Sequence, residues 1–165
     1  MRIIGVDPGS VCCGYGIIEV SNFRSQISNI RYITSGDIRM NKSSSLPDRL
    51  MVLYDSLKRI VGEYKPQHLC LERLFYHKGI TSAFTLGSTR GIVMLVAAEM
   101  GMPVFEYNPT KVKMALTGYG RADKRQVKEM VKRLLNLNSP DLRLSEDTTD
   151  ALALCICHVN NGLKA

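Results

Sequence analysis

The sequence predicts an α/β fold, a five-stranded mixed sheet flanked by helices, and three observations predict it. Arg2 to Val6 is a short apolar run with the pattern of a strand buried on both faces. Two further strand-like runs follow it with little more than turns between them, so the first three strands form an antiparallel meander. Beyond them the order is helix, strand, helix, strand and then helices, which makes the sheet mixed.

The first strand ends at Asp7, where Pro8-Gly9 is a turn signal. Cys12 to Val20 is the second strand, with glycines at 14 and 16, and a third lies within Ile27 to Ile38. Ser45 is placed to cap a helix whose first turn holds Pro47. Leu46, Leu50, Leu53, Leu57 and Val61 give that helix its apolar stripe, and Lys65-Pro66 ends it. His68 to Leu71 is a short strand ending at Glu72, followed by a polar-aromatic loop over 73–79.

Thr81 to Met100 is expected to be helical, with Ala83, Gly87 and Gly91 at intervals of four. Each glycine costs about 1 kcal/mol against alanine inside a helix, so their spacing implies close approach by another element. Gly101 caps this helix and Pro103 blocks its continuation. Val104 to Tyr107 is the fifth strand, and Asn108-Pro109 opens a short helix carrying Lys111 and Lys113. In the next helix, Lys124 to Leu135, the stripe Val127, Met130, Val131 and Leu134 leaves Lys124, Arg125, Lys128 and Lys132 outside it. The last helix begins near Asp147 and reaches about Val159.

A chain of 165 residues without linker, repeat or low-complexity segment is expected to form one domain over 1–165. No run approaches the roughly 18 apolar residues of a membrane span, and Asp7 and Pro8 interrupt any signal peptide. The five cysteines lie in apolar runs without zinc spacing, which implies reduced core thiols in a cytosolic protein. The net charge is +7. Between Lys111 and Arg133 eight Lys or Arg face two acids, a local balance of +6, so nearly all the excess sits in one segment. That is either a solvated helix face or the footprint of a polyanion.

Asp7 and Glu72 each end a buried-looking strand, and both emerge at one sheet edge if those strands are neighbours. Asp147 and Asp150 are three apart at a helix start and share a face. The plain alternatives are an Asp bonded in its own turn for Asp7 and a capping box for Asp147-Thr-Thr-Asp150. Four carboxylates brought together would repel unless cations lay between them. Hard oxygen donors suit Mg²⁺ or Mn²⁺, and two such ions about 3.5–4 Å apart can serve phosphodiester hydrolysis.

Ile-Ile-Gly-Val-Asp-Pro-Gly-Ser (3–10), Gly-Tyr-Gly-Ile-Ile-Glu (14–19), Leu-Glu-Arg-Leu-Phe (71–75), Leu-Gly-Ser-Thr-Arg-Gly (86–91), Lys-Arg-Gln-Val-Lys (124–128) and Asp-Thr-Thr-Asp-Ala-Leu-Ala (147–153) resemble the RuvC family of bacterial Holliday junction resolvases. The likeness covers nearly the whole chain in order. It implies a ribonuclease H-like fold, a homodimer, and Mg²⁺-dependent symmetric nicking of four-way DNA junctions in recombination and repair. It also implies the branch-migration helicase RuvAB as a partner and a cytoplasmic, nucleoid-associated location. The resemblance puts the metal-binding, catalytic carboxylates on Asp7, Glu72, Asp147 and Asp150. It gives Phe75 a base-stacking role, and matches Lys113 and Lys124 to positions that contact DNA backbone, with Arg125 beside them. Gly79 stands where many members have Asn, and Cys12-Cys13 where residues are often small or hydroxylic.

Other residues have plainer roles to weigh. Phe75 could be core, the Ala83/Gly87/Gly91 face could pack on the chain's own sheet, and His158 is expected to be buried or interfacial. His68 and His77 carry no metal spacing, and Tyr76 stays open. Gly-Val-Asp-Pro-Gly-Ser (5–10) also looks like the first phosphate loop of sugar kinases and actin, which need a second domain. A ribosomal RNA processing nuclease or ribonuclease H shares the carboxylates but not the Phe75 loop. A junction-binding protein that never cuts would not need all four.

Overall fold

A computed structural model describes residues 1–21, 29–73, 79–137 and 143–161. β1 (Arg2–Pro8), β2 (Cys12–Ser21) and β3 (Asn29–Arg39) form the antiparallel meander. β4 (His68–Glu72) pairs parallel with β1, and β5 (Val104–Tyr107) parallel with β4, in the order β3-β2-β1-β4-β5. Two helices, α1 (Leu46–Tyr64) and α2 (Ile80–Glu99), precede β4 and β5 respectively. α3 (Pro109–Thr117), α4 (Lys124–Leu134) and α5 (Glu146–Asn161) complete the chain.

The helix ends follow their local chemistry. Ser45 accepts from the Asp48 amide at the start of α1, and Lys65 ends that helix in a left-handed conformation, φ 49°. Asn108 accepts from the Thr110 amide ahead of Pro109, and Gly118 closes α3 at φ 72°. Asp123 and Gln126 form a reciprocal capping box on α4. On α4 the buried stripe is Val127 and Val131, continued by Leu135; Leu134 points outward at 38% exposure, correcting its expected place in the core.

Strand alternation sorts the interior into two cores. Ile4, Val6, Leu69 and Leu71 pack with Leu53, Leu57, Val93 and Val96 of α1 and α2. Ile3, Ile18 and Cys70 pack on the opposite face with Leu152, Cys155 and Ile156 of α5. Each fully buried leucine or isoleucine contributes about 1.5–3 kcal/mol, so α5, buried from Ala151 to Val159, is the most strongly anchored helix. Four of the cysteines are buried and free, and Cys12 is half-buried.

Thr81–Glu99 is long and apolar enough, by length and composition alone, to cross a membrane, which corrects the expectation that no such run exists. A single helix of that kind is weak evidence, since core helices pass the same test. Arg90, buried in its middle, donates to the Glu72 carbonyl at 2.6 Å and pairs with Glu106.

Candidate active site

β-sheet register brings the first two carboxylates together. Val6 is paired with Leu71 across the parallel β1–β4 contact, so Asp7 and Glu72 leave neighbouring strands at the same end. Alternation then puts Asp7 on the side of Ile3, and Glu72 on the side of Cys70, the face that α5 covers. Arg90 fixes the β4 end by bonding the Glu72 carbonyl.

The other two come from the first turns of α5, and glycines let that helix lie against the sheet. A Cβ at Gly14, which pairs with Asp7 across the β1–β2 ladder, would stand 2.6 Å from the Thr148 nitrogen and would overlap the Asp147 carbonyl. A Cβ at Gly5 would lie 2.9 Å from the Ala151 carbonyl carbon, and one at Gly16 3.2 Å from the Leu152 nitrogen. Three residues without side chains thus form the seat of α5.

Ser145, and not Asp147, accepts the capping bond of α5: the Thr148 amide donates to Ser145 Oγ at 3.0 Å. The capping-box alternative for the 147–150 pair is therefore corrected. Neither aspartate is used as a cap, and Ser145 Oγ and Thr148 Oγ1 both donate to Asp37 of β3, at 2.6 and 2.8 Å.

Asp7, Glu72, Asp147 and Asp150 line one open cavity of ≈ 490 Å³, with Lys113 and Lys124 at its edge. Burial, then the charges of Asp150, Glu72 and Asp147, raise the Asp7 carboxyl to about 7, against a small opposing pull from Lys124. Burial and Asp150 raise Glu72, with Lys113 and Lys124 opposing. Asp150 is raised chiefly by burial, with Lys124 opposing and Asp147 adding to the rise. Among the described residues, no three His, Cys, Asp or Glu side chains are grouped closely enough to hold one metal ion as they stand. The donor chemistry nevertheless fits a hard divalent cation: all four groups are carboxylates, and burial first, then the charge of neighbouring carboxylates, holds Asp7, Glu72 and Asp150 above their ordinary range.

The basic residues divide by position. Lys124 pairs with Glu146 at 2.6 Å at the cavity rim. Arg125 is exposed and outside the lining. Lys111 lies 5.6 Å over the Tyr107 ring, Lys128 donates to the Leu144 carbonyl, and Lys132 pairs with Glu129. Phe75, Tyr76 and His77 lie outside the described residues. His158 is fully buried, bonded to Tyr107 Oη at 2.6 Å and to His68 Nδ1 at 2.8 Å.

Sequence reasoning missed Asp37, Ser145 and Arg90, along with the close-approach role of Gly5, Gly14 and Gly16. A Ser two residues before the Asp-Thr-Thr-Asp run was a readable N-cap signal. The partners of Asp37 and Arg90 are far away in sequence and left none.

The family model described as crossover junction endodeoxyribonuclease RuvC matches residues 3–158. The crossover junction endodeoxyribonuclease RuvC of Desulfitobacterium hafniense (strain DSM 10664 / DCB-2) is 40% identical over 161 residues, 98% of this chain and 93% of that protein. That of Heliobacterium modesticaldum is 42% identical over 157 residues, 95% of this chain and 93% of its own. Among solved structures, T. thermophilus RuvC in complex with Holliday junction substrate superposes with a TM-score of 0.88 at 27% identity, covering 99% of this chain and 95% of that one.

Proposed function

Since the chain belongs to the crossover junction endodeoxyribonuclease RuvC family, we propose that it resolves four-way DNA junctions by paired symmetric nicks in recombination and repair. The single observation that carries this reading is the gathering of four carboxylates from β1, β4 and α5 in one cavity edged by lysines. The sheet edge supplies acid, the segment beside it supplies positive charge, and a phosphodiester needs both.

Asp7, Glu72, Asp147 and Asp150 would hold Mg²⁺, with Mn²⁺ as a substitute and two ions per site. When bound, such a pair supplies an activated water and stabilises the leaving oxygen. The protein's own groups do the rest. Lys113 and Lys124 attract the backbone as point charges, and Lys124 must exchange Glu146 for phosphate as DNA enters. Arg125 adds to the field. Phe75, on the family resemblance, stacks on an unpaired base at the crossover, an interaction worth about 1–3 kcal/mol.

Two symmetric nicks require two sites related by a two-fold axis. The outer face of α2, with Phe84 73% and Leu95 50% exposed and open space above Gly87 and Gly91, supports a homodimer through that helix. We further read the whole chain as one nuclease domain acting in the cytoplasm at the nucleoid, with RuvAB as the family's branch-migration partner.

Cleavage assays on a four-way junction, a plain duplex and an RNA/DNA hybrid, with and without Mg²⁺, test the proposal. Paired nicks on the junction, dependent on Mg²⁺, are expected. Asp7→Asn, Glu72→Gln, Asp147→Asn and Asp150→Asn should each abolish or severely reduce nicking while junction binding survives. Preferred cutting of the hybrid would move the protein to a ribonuclease H activity, and binding without cutting under any divalent ion would make it a junction-binding protein.

A further inference from the structure

We propose that Asp37 is a positioning residue for this site: one carboxylate oxygen on β3 clamps the hydroxyls of Ser145 and Thr148 and thereby fixes the turn of α5 that carries Asp147 and Asp150. Ser145 Oγ donates to Asp37 Oδ1 at 2.6 Å and Thr148 Oγ1 donates to the same oxygen at 2.8 Å, across 108 and 111 residues of sequence. The other oxygen takes Arg39 at 3.1 Å. Burial alone would raise the Asp37 carboxyl, but bonds from Ser145, Thr148 and Arg39 outweigh it and hold the group below its ordinary value.

The two hydroxyls bracket Asp147, and Thr148 stands within one turn of Asp150. The single proton of Ser145 is committed to Asp37, which turns a lone pair of Oγ toward the Thr148 amide and completes the cap. A first helical turn has free amides and frays unless tied. The glycine seat limits how far α5 stands from the sheet, whereas a directional bond is needed to fix its rotation and slide. Asp37 does not reach the carboxylate cavity; it lines a separate groove with Arg39, Arg143, Ser145 and Thr148. Its effect therefore passes through the helix.

This clamp rests on the reading of Asp147 and Asp150 as metal-holding residues, so the test measures metal as well as cleavage. Mn²⁺ binding to the full chain without DNA is followed by electron paramagnetic resonance, with melting temperature and junction affinity in EDTA taken on the same samples. Asp37→Ala should weaken Mn²⁺ binding and single-turnover junction cleavage by about 10–100-fold, the range for residues that orient metal ligands, without loss of junction affinity. Asp37→Asn keeps an Oδ1 acceptor and should restore both nearly to wild type. Thr148→Val, which removes one hydroxyl at nearly constant volume, should fall between. Wild-type Mn²⁺ binding in Asp37→Ala, losses that follow the folded fraction, or an Asn variant no better than Ala would each overturn the clamp. If Asp150→Asn binds Mn²⁺ like wild type, or wild type binds none, the metal reading fails and takes the clamp with it. If Asp150→Asn loses Mn²⁺ and Asp37→Ala keeps it, only the clamp fails.

Discussion

Gly14 and Asp147 are in direct backbone contact: the place a Gly14 side chain would need is filled by the Asp147 carbonyl, with the Thr148 nitrogen 2.6 Å from where Cβ would be. Gly14 is also the cross-strand partner of Asp7. One absent side chain therefore sets the spacing between a carboxylate on the central strand and the helix turn that brings two more. Asp37 then ties the same turn to the next strand out.

Gly14→Ala should force α5 off the sheet at the turn where the carboxylates sit. Overpacking of this kind costs about 1–3 kcal/mol of stability, and a misplacement near 1 Å can cost about 10²-fold in rate. Gly62→Ala in α1, with nothing within 4 Å of the added carbon, is the matched control. It should nick normally and gain up to about 1 kcal/mol. Equal melting temperatures and equal nicking rates for wild type and Gly14→Ala would show that the seat tolerates a methyl group.

Lys113 and Lys124 line the cavity, while Arg125 does not. Each of Lys113→Ala and Lys124→Ala should therefore weaken junction binding and reduce the slope of log K against log salt by about one unit. Arg125→Ala should change the slope less. Glu146→Gln removes the carboxylate that now holds Lys124 at 2.6 Å, and should tighten binding at low salt. A titration in which Lys124→Ala keeps the wild-type slope would return that lysine to an ordinary solvated face.

The fold was legible because its signals are local. Asn108-Pro109, Ser45 with Pro47, and Asp7 at the end of an apolar run each act within a few residues, and the elements lie where these signals put them. Asp7 and Glu72 were legible as a pair only on condition that their strands adjoin, which the β1–β4 register satisfies. Asp37 was opaque because nothing in Ser-Gly-Asp-Ile-Arg shows that two hydroxyls more than a hundred residues away will converge on it. Gly14 and Gly16 read as strand glycines of no stated purpose, because the helix that needs their bare backbone is the last element of the chain. Leu134 and Leu135 are adjacent, and both fit an apolar period running from Val127 and Val131, one at i+3 and the other at i+4; packing in the folded chain buries Leu135 and leaves Leu134 outside.

His158 supplies a dependence on pH that does not involve the carboxylates. Burial and the neighbouring His68 lower it to about 4, below the ordinary value near 6.5. The neutral ring can accept from Tyr107 and donate to His68, so the chain of bonds is satisfied without a charge. With the folded value below the unfolded one, the unfolded chain binds the extra proton. The stabilising contribution is thus complete above about 6.5 and is lost as pH falls toward 4, up to about 3 kcal/mol. Nuclear magnetic resonance should show the His158 ring still neutral at pH 5.5. Wild type should lose more melting temperature between pH 6.5 and 4.5 than His158→Gln does. A ring titrating near 6.5, or equal losses, would rule out the shift.

α2 carries the last prediction, because its outer face is apolar and has no partner among the described residues. Phe84, Met94 and Leu95 are 73, 42 and 50% exposed, and an added carbon at Gly87 or Gly91 meets nothing within 4 Å. Glycines spaced by four cost helix stability, and among the described residues nothing approaches Gly87 or Gly91 closely enough to require them. A second copy laid along the same face would require them, and a stable seam needs roughly 800 Å² from each partner. Leu95→Glu places a charge in that seam and Gly87→Leu places bulk there, and neither touches the core of the single chain. Both variants should sediment as monomers at concentrations where wild type is a dimer, with folded spectra. Their nicks on a junction should become uncoupled, so that one strand is cut without the other before the junction dissociates. If both variants remain dimers and cut in pairs, the seam lies elsewhere and the glycines of α2 have some other cause.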